Sequence, residues 1–166
     1  MKKPEAVSHW LYNNKIYNPT LEEQLATDNI GFVYMITNIT TGKRYIGKKL
    51  IITVKKLPPL KGKKNKRHSK VFTDWKTYMS SSKYIKEDIE LLGKDNFKFE
   101  ILTFHPNKSE LNYAELWVQV RYNVLEYNKE GERLWYNENI SCKFYSSEKY
   151  NQHRLDNFKL YESILQ

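Results

Sequence analysis

Tyr34 and Tyr45 stand with ten residues between them, and Lys48 and Lys49 follow the second tyrosine almost at once. Two phenolic hydroxyls and two ammonium groups brought together can hold a phosphate. The same residues also suit a surface hairpin with ordinary cross-strand aromatic pairs. Glu115 is a further candidate. Stepping about 100° per residue from Leu111 puts Ala114, Glu115, Val118, Tyr122 and Leu125 close to one direction on a helix. A carboxylate in or beside such an apolar stripe is costly unless it is paired or holds a metal. Arg121 or a tyrosine hydroxyl would satisfy it in the plainer reading.

The elements that must position these groups are read from hydrophobic period and turn chemistry. In the segment 31–47, Phe32, Tyr34 and Ile36 alternate with Val33, Met35 and Thr37, which is strand character. Asn38 to Gly42 is rich in turn residues, and Lys43 to Gly47 forms a second strand closed by glycine. The hairpin brings Tyr34 and Tyr45 near each other. Leu50 to Val54 is a third β-type run, and Pro58-Pro59 ends any regular element. Ser80, Ser81 and Ser82 offer caps for an amphipathic helix from Ser82 to Leu92, with Ile85, Ile89 and Leu92 on one face and Gly93 as its stop. Phe97 to Phe104 alternates at period two and is the clearest strand. Ser109 is placed to cap a long helix to about Tyr127.

Before the hairpin, His9 to Tyr12 is apolar and aromatic, and Thr20 can cap a helix whose first turn holds Glu22 and Glu23. After Glu130-Gly131, residues 146–164 look helical and carry Lys149, His153, Arg154 and Lys159. The expected organisation is one domain over 1–166. It has an N-terminal packing arm at 1–30, a core at 31–140 with a basic insertion at 48–73, and a helical extension at 141–166.

The net charge of +9 is unevenly placed. Residues 31–73 hold 12 Lys and Arg and no Asp or Glu, so the remaining 123 residues carry 16 basic and 19 acidic groups, a net of −3. A basic patch on a mildly acidic body is the footprint of a polyanion binder. Its densest part, Lys61 to Lys70, has no periodicity and is expected to stay mobile until it meets phosphate. The single Cys142 excludes an internal disulfide framework and a multi-cysteine zinc site. The first 30 residues contain no apolar run preceded by basic residues, so no secretory leader is expected, and no stretch nears the ~20 apolar residues of a membrane span.

Taken in order, these pieces resemble the GIY-YIG nuclease family. Gly31-Phe32-Val33-Tyr34 is similar to its first motif and Tyr45-Ile46-Gly47 to its second. Leu92-Gly93-Lys94-Asp95-Asn96-Phe97 and the strand that follows resemble its helix end and third strand. Tyr113-Ala114-Glu115 is similar to its glutamate helix, and Tyr136-Asn137 to its late asparagine motif. The Lys48-Lys49 pair, the basic insertion and Trp75-Lys76-Thr77-Tyr78 resemble the Seg-type phage homing endonucleases. The resemblance covers roughly residues 31–140.

It implies an α/β (α+β) core with a small antiparallel three-stranded sheet flanked by helices. The activity it implies is metal-dependent hydrolysis of DNA phosphodiesters. Glu115 would hold one Mg²⁺ (or Mn²⁺) per active site, Tyr34 would position or deprotonate the attacking water, and Tyr45 would hold the phosphate. Gly31, Gly47 and Asn137 would support the site. Lys48, Lys49, Lys61, Lys63, Lys64, Lys66 and Arg67 would contact DNA. The implied setting is the cytoplasm of a phage-infected bacterial host, with no membrane partner, the protein acting as a monomer or a transient dimer on DNA.

One motif departs from the family. Placing Tyr78 at the position of its first-helix histidine or tyrosine puts Asp74, four residues earlier, where an arginine is usual, and an aspartate cannot neutralise phosphate. The cation then comes from Lys76, Arg67 or Lys48. An alternative register pairs Lys64 with His68, just downstream of the helix-breaking Pro58, Pro59 and Gly62. Met79 and Ser80 also differ from the usual Tyr-Gly. A nucleic-acid-binding protein with weakened or lost catalysis is the alternative, and a basic structural protein a further one.

Overall fold

The computed structural model describes residues 6–62, 64–141, 144–146, 148, 152, 155 and 156. In chain order the elements are β1 (Leu11–Tyr12), β2 (Lys15–Ile16), α1 (Leu21–Leu25), β3 (Gly31–Asn38) and β4 (Arg44–Leu50). There follow β5 (Ile52–Leu57), β6 (Arg67–Phe72), α2 (Lys83–Leu92), β7 (Phe97–His105), α3 (Lys108–Arg121), β8 (Asn139–Ile140) and β9 (Phe144–Tyr145). Single 3-10 turns lie at Trp75–Thr77 and Lys94–Asn96.

The expected three-stranded antiparallel sheet is present as β7-β3-β4, but the full sheet has five strands in the order β2-β1-β7-β3-β4. The two additions come from the N-terminal arm. β1 runs parallel to β7 with Leu11 opposite Glu100, and β2 folds back on β1. Strands of two residues carry too little alternation to be legible from pattern.

Alternation along β3 feeds two cores. Phe32, Tyr34 and Ile36 join Trp10, Trp75, Ile85 and Phe99 on one face. Val33 joins Leu111, Val124 and Trp135 on the other. Trp10 is fully buried, and its Nε1 donates to the Trp75 carbonyl at 2.8 Å. The arm is thus part of the body, since burying an indole with its N–H satisfied stabilises by a few kcal/mol, roughly 2–3.

The helices follow their local signals with two corrections. Thr20 and Glu23 form a capping box on α1, and Gly93, at φ 85°, stops α2 as expected. The cap of α3 is Asn107 rather than Ser109, because the Asn107 side chain accepts from the Glu110 amide at 2.9 Å. The same helix ends at Arg121, short of Tyr127, where Asn123 turns into the left-handed region at φ 47°. Apolar periodicity continued past the end because Val124 and Leu125 are buried from the turn that follows.

The basic insertion is not irregular throughout. β5 and β6 pair antiparallel over six register positions, from Ile52 opposite Phe72 to Leu57 opposite Arg67. The β-branched Ile52, Thr53, Val54 and Val71 favour the ribbon, and Pro58 and Pro59 end β5. Lys63 lies outside the described residues, as does most of the expected C-terminal helix, including Lys149, His153, Arg154 and Lys159. Among the described residues no helix is long and apolar enough to cross a membrane.

Candidate active site

The register of the central hairpin decides which side chains meet. Tyr34 lies opposite Gly47, Ile36 opposite Tyr45, Phe32 opposite Lys49 and Val33 opposite Lys48. Opposed residues share a face of a sheet, so Tyr45, Gly47 and Lys49 stand on the Tyr34 face. Lys48 stands on the other, toward α3. β4 is the edge of the sheet, and a cleft of about 270 Å³ opens along it. Tyr45, Lys48, Ser81, Ser82, Glu115, Gln119, Tyr136, Asn137 and Glu138 line this cleft.

Lys48 and Glu115 form an ion pair at the cleft wall, with the carboxylate side chain 18% exposed. The partner of Glu115 is therefore neither Arg121 nor a tyrosine hydroxyl. Leu111, Ala114 and Val118 of the expected stripe do pack on the core, but Tyr122 is exposed, Leu125 lies past the end of α3, and the charge that satisfies Glu115 comes from β4.

Tyr34 is 1% exposed. Its ring packs against Trp10 at 4.8 Å, Tyr45 at 6.0 Å and Tyr78 at 6.2 Å, and its hydroxyl hydrogen-bonds with the side chains of Tyr78 and Ser80. Burial holds its ionisation well above the usual phenol range, and the nearby Tyr45 and Tyr78 add to this. The ring lies beneath Gly47: a Cβ there would meet Tyr34 Oη at 2.7 Å and Tyr45 Cε1 at 2.8 Å. Gly31 is equally tight, since a Cβ would meet Leu111 Cδ2 and the Lys49 carbonyl, each at 2.7 Å. Tyr45 reaches the cleft, and its hydroxyl shares a hydrogen bond with Ser81 Oγ at 2.9 Å. Burial raises its ionisation too.

Asn137 stands at the edge of β4. Its Oδ1 accepts from the Ile46 amide at 3.0 Å, and its Nδ2 donates to the Ile46 carbonyl at 2.8 Å. Its neighbours hold the same edge: the Tyr136 amide donates to the Arg44 carbonyl at 2.8 Å, and Trp135 bridges Arg44. The Tyr136 hydroxyl donates to Asp88 at 2.5 Å and accepts from Asn38 Nδ2 at 2.9 Å. Burial and the Asp88 carboxylate push that phenol up to about 12.

The remaining candidates are dispersed. Lys49 pairs with Asp74 at 2.5 Å and lies 3.8 Å from the centre of the Tyr78 ring. Asp74, at the position expected of an arginine, thus holds a lysine over Tyr78. Lys76 is buried, with its ammonium 5.1 Å from the Phe72 ring, and lines a different cleft with Thr73 and Thr77. Arg67, Lys61, Lys64, Lys66 and His68 are exposed on the ribbon or its tip. Of the three cations weighed for the phosphate, Lys48 is the one in the cleft with Glu115.

The residues present fit a hard divalent cation. Mg²⁺ keeps several waters and needs one or two carboxylates, and Glu115 offers one at the wall of a polar, open cleft. Among the described residues no three His, Cys, Asp or Glu side chains cluster, so a closed zinc-type cage is not offered.

Pattern reading missed Gln119, Ser81 and Asp88 as parts of the site. Gln119 lies one helical turn beyond Glu115 and donates to the Ile46 carbonyl at 3.1 Å, so its spacing could have found it. Ser81 and Asp88 carry no comparable signal.

An α/β sheet centred on one hairpin thus brings a carboxylate, an ammonium and a phenol into one cleft at its open edge. The chain belongs to the Seg-type GIY-YIG endonuclease family: the family model described as "Putative endonuclease segE, GIY-YIG domain" matches residues 10–140. That span includes Trp10 and the short N-terminal strands. No curated protein and no solved structure matches the chain.

Proposed function

We propose that the protein is a metal-dependent DNA endonuclease that hydrolyses one phosphodiester at a time in the cleft at the edge of β4. The observation that carries this reading is the Lys48–Glu115 pair, set in one cleft with Tyr45 and Asn137. A carboxylate already holding a cation beside phosphate-binding groups is a site prepared for a charged, metal-bound substrate.

One Mg²⁺ (or Mn²⁺) ion on Glu115 would polarise the phosphate and stabilise the leaving oxygen. Lys48, released from Glu115, neutralises a non-bridging oxygen and takes the role of the missing arginine. Tyr45 donates its hydroxyl to the phosphate. Tyr34, buried beneath Gly47 and outside the cleft lining, stays a neutral phenol, so its part is to position Tyr45 rather than to remove a proton. Asn137 and Gln119 keep the edge of β4 in register. Family membership supports action on nucleic acid; a homing-type role in a phage-infected bacterial cytoplasm, as a monomer or a transient dimer on DNA, completes the proposed reading.

Supercoiled plasmid should be converted to the nicked form by the wild-type protein with Mg²⁺ or Mn²⁺, and Glu115→Gln should abolish the conversion. No nicking with either metal overturns the reading. The Asp74–Lys49 pair at the position of the usual arginine favours a second reading, a protein that binds DNA without cutting it. Salt-dependent binding with no metal-dependent nicking is the result that selects it.

A further inference from the structure

The β5–β6 ribbon stands apart from the sheet that carries the cleft, and it is paired only within itself. Lys55, Lys56, Arg67 and Lys70 lie on its two strands, and Lys61, Lys64 and Lys66 at its tip, all exposed. Between Leu50 and Thr73 there is no Asp or Glu. Among the described residues no ion pair reaches a ribbon cation.

Register sorts the strand residues onto two faces. Val54 opposes Lys70 and Lys56 opposes His68 on one; Lys55 opposes Ser69 and Leu57 opposes Arg67 on the other. Each face therefore carries two cations.

The base of the ribbon is fixed to the strand that carries Tyr45 and Lys48. Thr73 Oγ1 donates to the Leu50 carbonyl at 2.6 Å, and the Thr73 amide donates to the Ile51 carbonyl at 2.8 Å. Ile52 is buried at the root, and its partner Phe72 packs on Trp75 at 5.9 Å.

We propose that this ribbon is a groove-inserting module for B-form duplex DNA, entering the major groove beside the cleft. The proposal rests on the endonuclease reading above and names how that site takes its substrate. Two strands about 4.8 Å apart with side chains on both faces match a major groove about 12 Å wide and exceed a minor groove of about 6 Å. The major groove of an RNA duplex is too narrow to admit them. Between Thr53 and Val71 there is no Phe, Tyr or Trp, so the ribbon has no platform on which unpaired bases would stack.

Cations on both faces reach the phosphates on both walls of the groove. Leu57 follows Lys48 by nine positions, so the last paired position of the ribbon lies at most about 30 Å from Lys48 in the cleft. This is within one turn of the duplex, about 34 Å. Lysines on an open ribbon also discourage edge-to-edge aggregation; that role alone predicts no contribution to binding.

The test uses the full chain carrying E115Q, without divalent metal, titrated onto a mixed-sequence DNA duplex by fluorescence anisotropy over a range of salt. The variant K55Q/K56Q/R67Q/K70Q is expected to lower the slope of log affinity against log salt by about 0.9 per cation removed. The charge-conserving K55R/K56R/K70R should keep it. Methyl green, a major-groove ligand, should displace the protein, and netropsin, a minor-groove ligand, should not. An unchanged slope overturns the proposal, as does displacement by netropsin alone. An equal loss of binding to single-stranded DNA or duplex RNA overturns it as well.

If the quadruple variant melts below the assay temperature, K55Q/R67Q and K56Q/K70Q remove one face at a time and decide the matter by the same slopes. Plasmid nicking by the chain with Glu115 intact is measured alongside. Nicking with no ribbon-dependent slope removes the ribbon proposal and leaves the nuclease reading standing. Ribbon-dependent duplex binding without nicking does the reverse.

Discussion

Asn137 and Ile46 form a closed pair: the side-chain amide of one accepts from and donates to the backbone of the other, at 3.0 and 2.8 Å. The asparagine thus behaves as one further residue of a neighbouring strand, and it completes the edge of β4 between Tyr45 and Gly47. Both groups are buried, so losing the amide leaves the Ile46 N–H without a partner. Asn137→Ala is expected to destabilise the fold by roughly 1–3 kcal/mol, read by urea denaturation. Nicking should fall more than duplex affinity, because Tyr45 is the neighbour that loosens. A variant of unchanged stability would show that the edge is held by Gln119 and Tyr136 alone.

Lys48 and Glu115 test the shared-cation reading. Lys48→Met should abolish nicking while lowering duplex affinity only modestly, and Lys48→Arg should restore part of the rate. Glu115→Gln should leave duplex binding intact without metal. If Lys48→Met nicks normally, the phosphate cation is another residue.

Tyr34→Phe removes one buried hydroxyl and keeps the ring. The expected result is a large fall in nicking rate with duplex affinity unchanged. Because burial holds the phenol un-ionised, the pH profile of the wild type should show no step assignable to Tyr34 between pH 6 and roughly 10. Equal loss of rate and affinity would make the hydroxyl a structural group only.

Gly47→Ala places a methyl against the Tyr34 hydroxyl at 2.7 Å and ring at 2.8 Å. Overpacking of this kind costs roughly 1–3 kcal/mol. Combining it with Tyr34→Phe should recover only part of the stability, since the ring carbon stays in contact. Calorimetric melting of the two single variants and the double variant measures the coupling.

Acid should weaken the fold through His9. The imidazole packs on Phe99 at 4.4 Å and on Trp10 at 5.3 Å, and burial, reinforced by Lys94, lowers its pKa from 6.5 to about 4. The unfolded chain therefore takes up a proton that the folded chain refuses. The stabilisation is complete above pH 6.5 and is lost as pH falls toward about 4. Its size is roughly 2–3 kcal/mol after allowance for partial exposure. His9→Gln should flatten the pH dependence of unfolding in that interval, and an unaltered dependence would assign it to other groups.

Local period and turn chemistry were enough for the hairpin at 31–47, for α2 with its Gly93 stop, for β7 and for the odd placement of Glu115 beside Leu111, Ala114 and Val118, though not for where that helix ends. They carried the family resemblance as well, because its motifs are short runs of neighbouring residues. The ribbon was half legible: its charge was plain, but two irregular basic runs show their pairing only once β5 and β6 are in register.

What tertiary structure decided was which groups meet. Lys48 and Lys49 are adjacent and chemically alike, and only the pleat of β4 sends one to Glu115 and the other to Asp74 and Tyr78. Lys76, a fair candidate by motif, is drawn down between Phe72 and Trp75. Asn137 finds Ile46 across 91 positions of chain. A residue's type sets what chemistry it can do, and that is written in the sequence. Its partner depends on strand register and packing between distant segments, which no local pattern encodes.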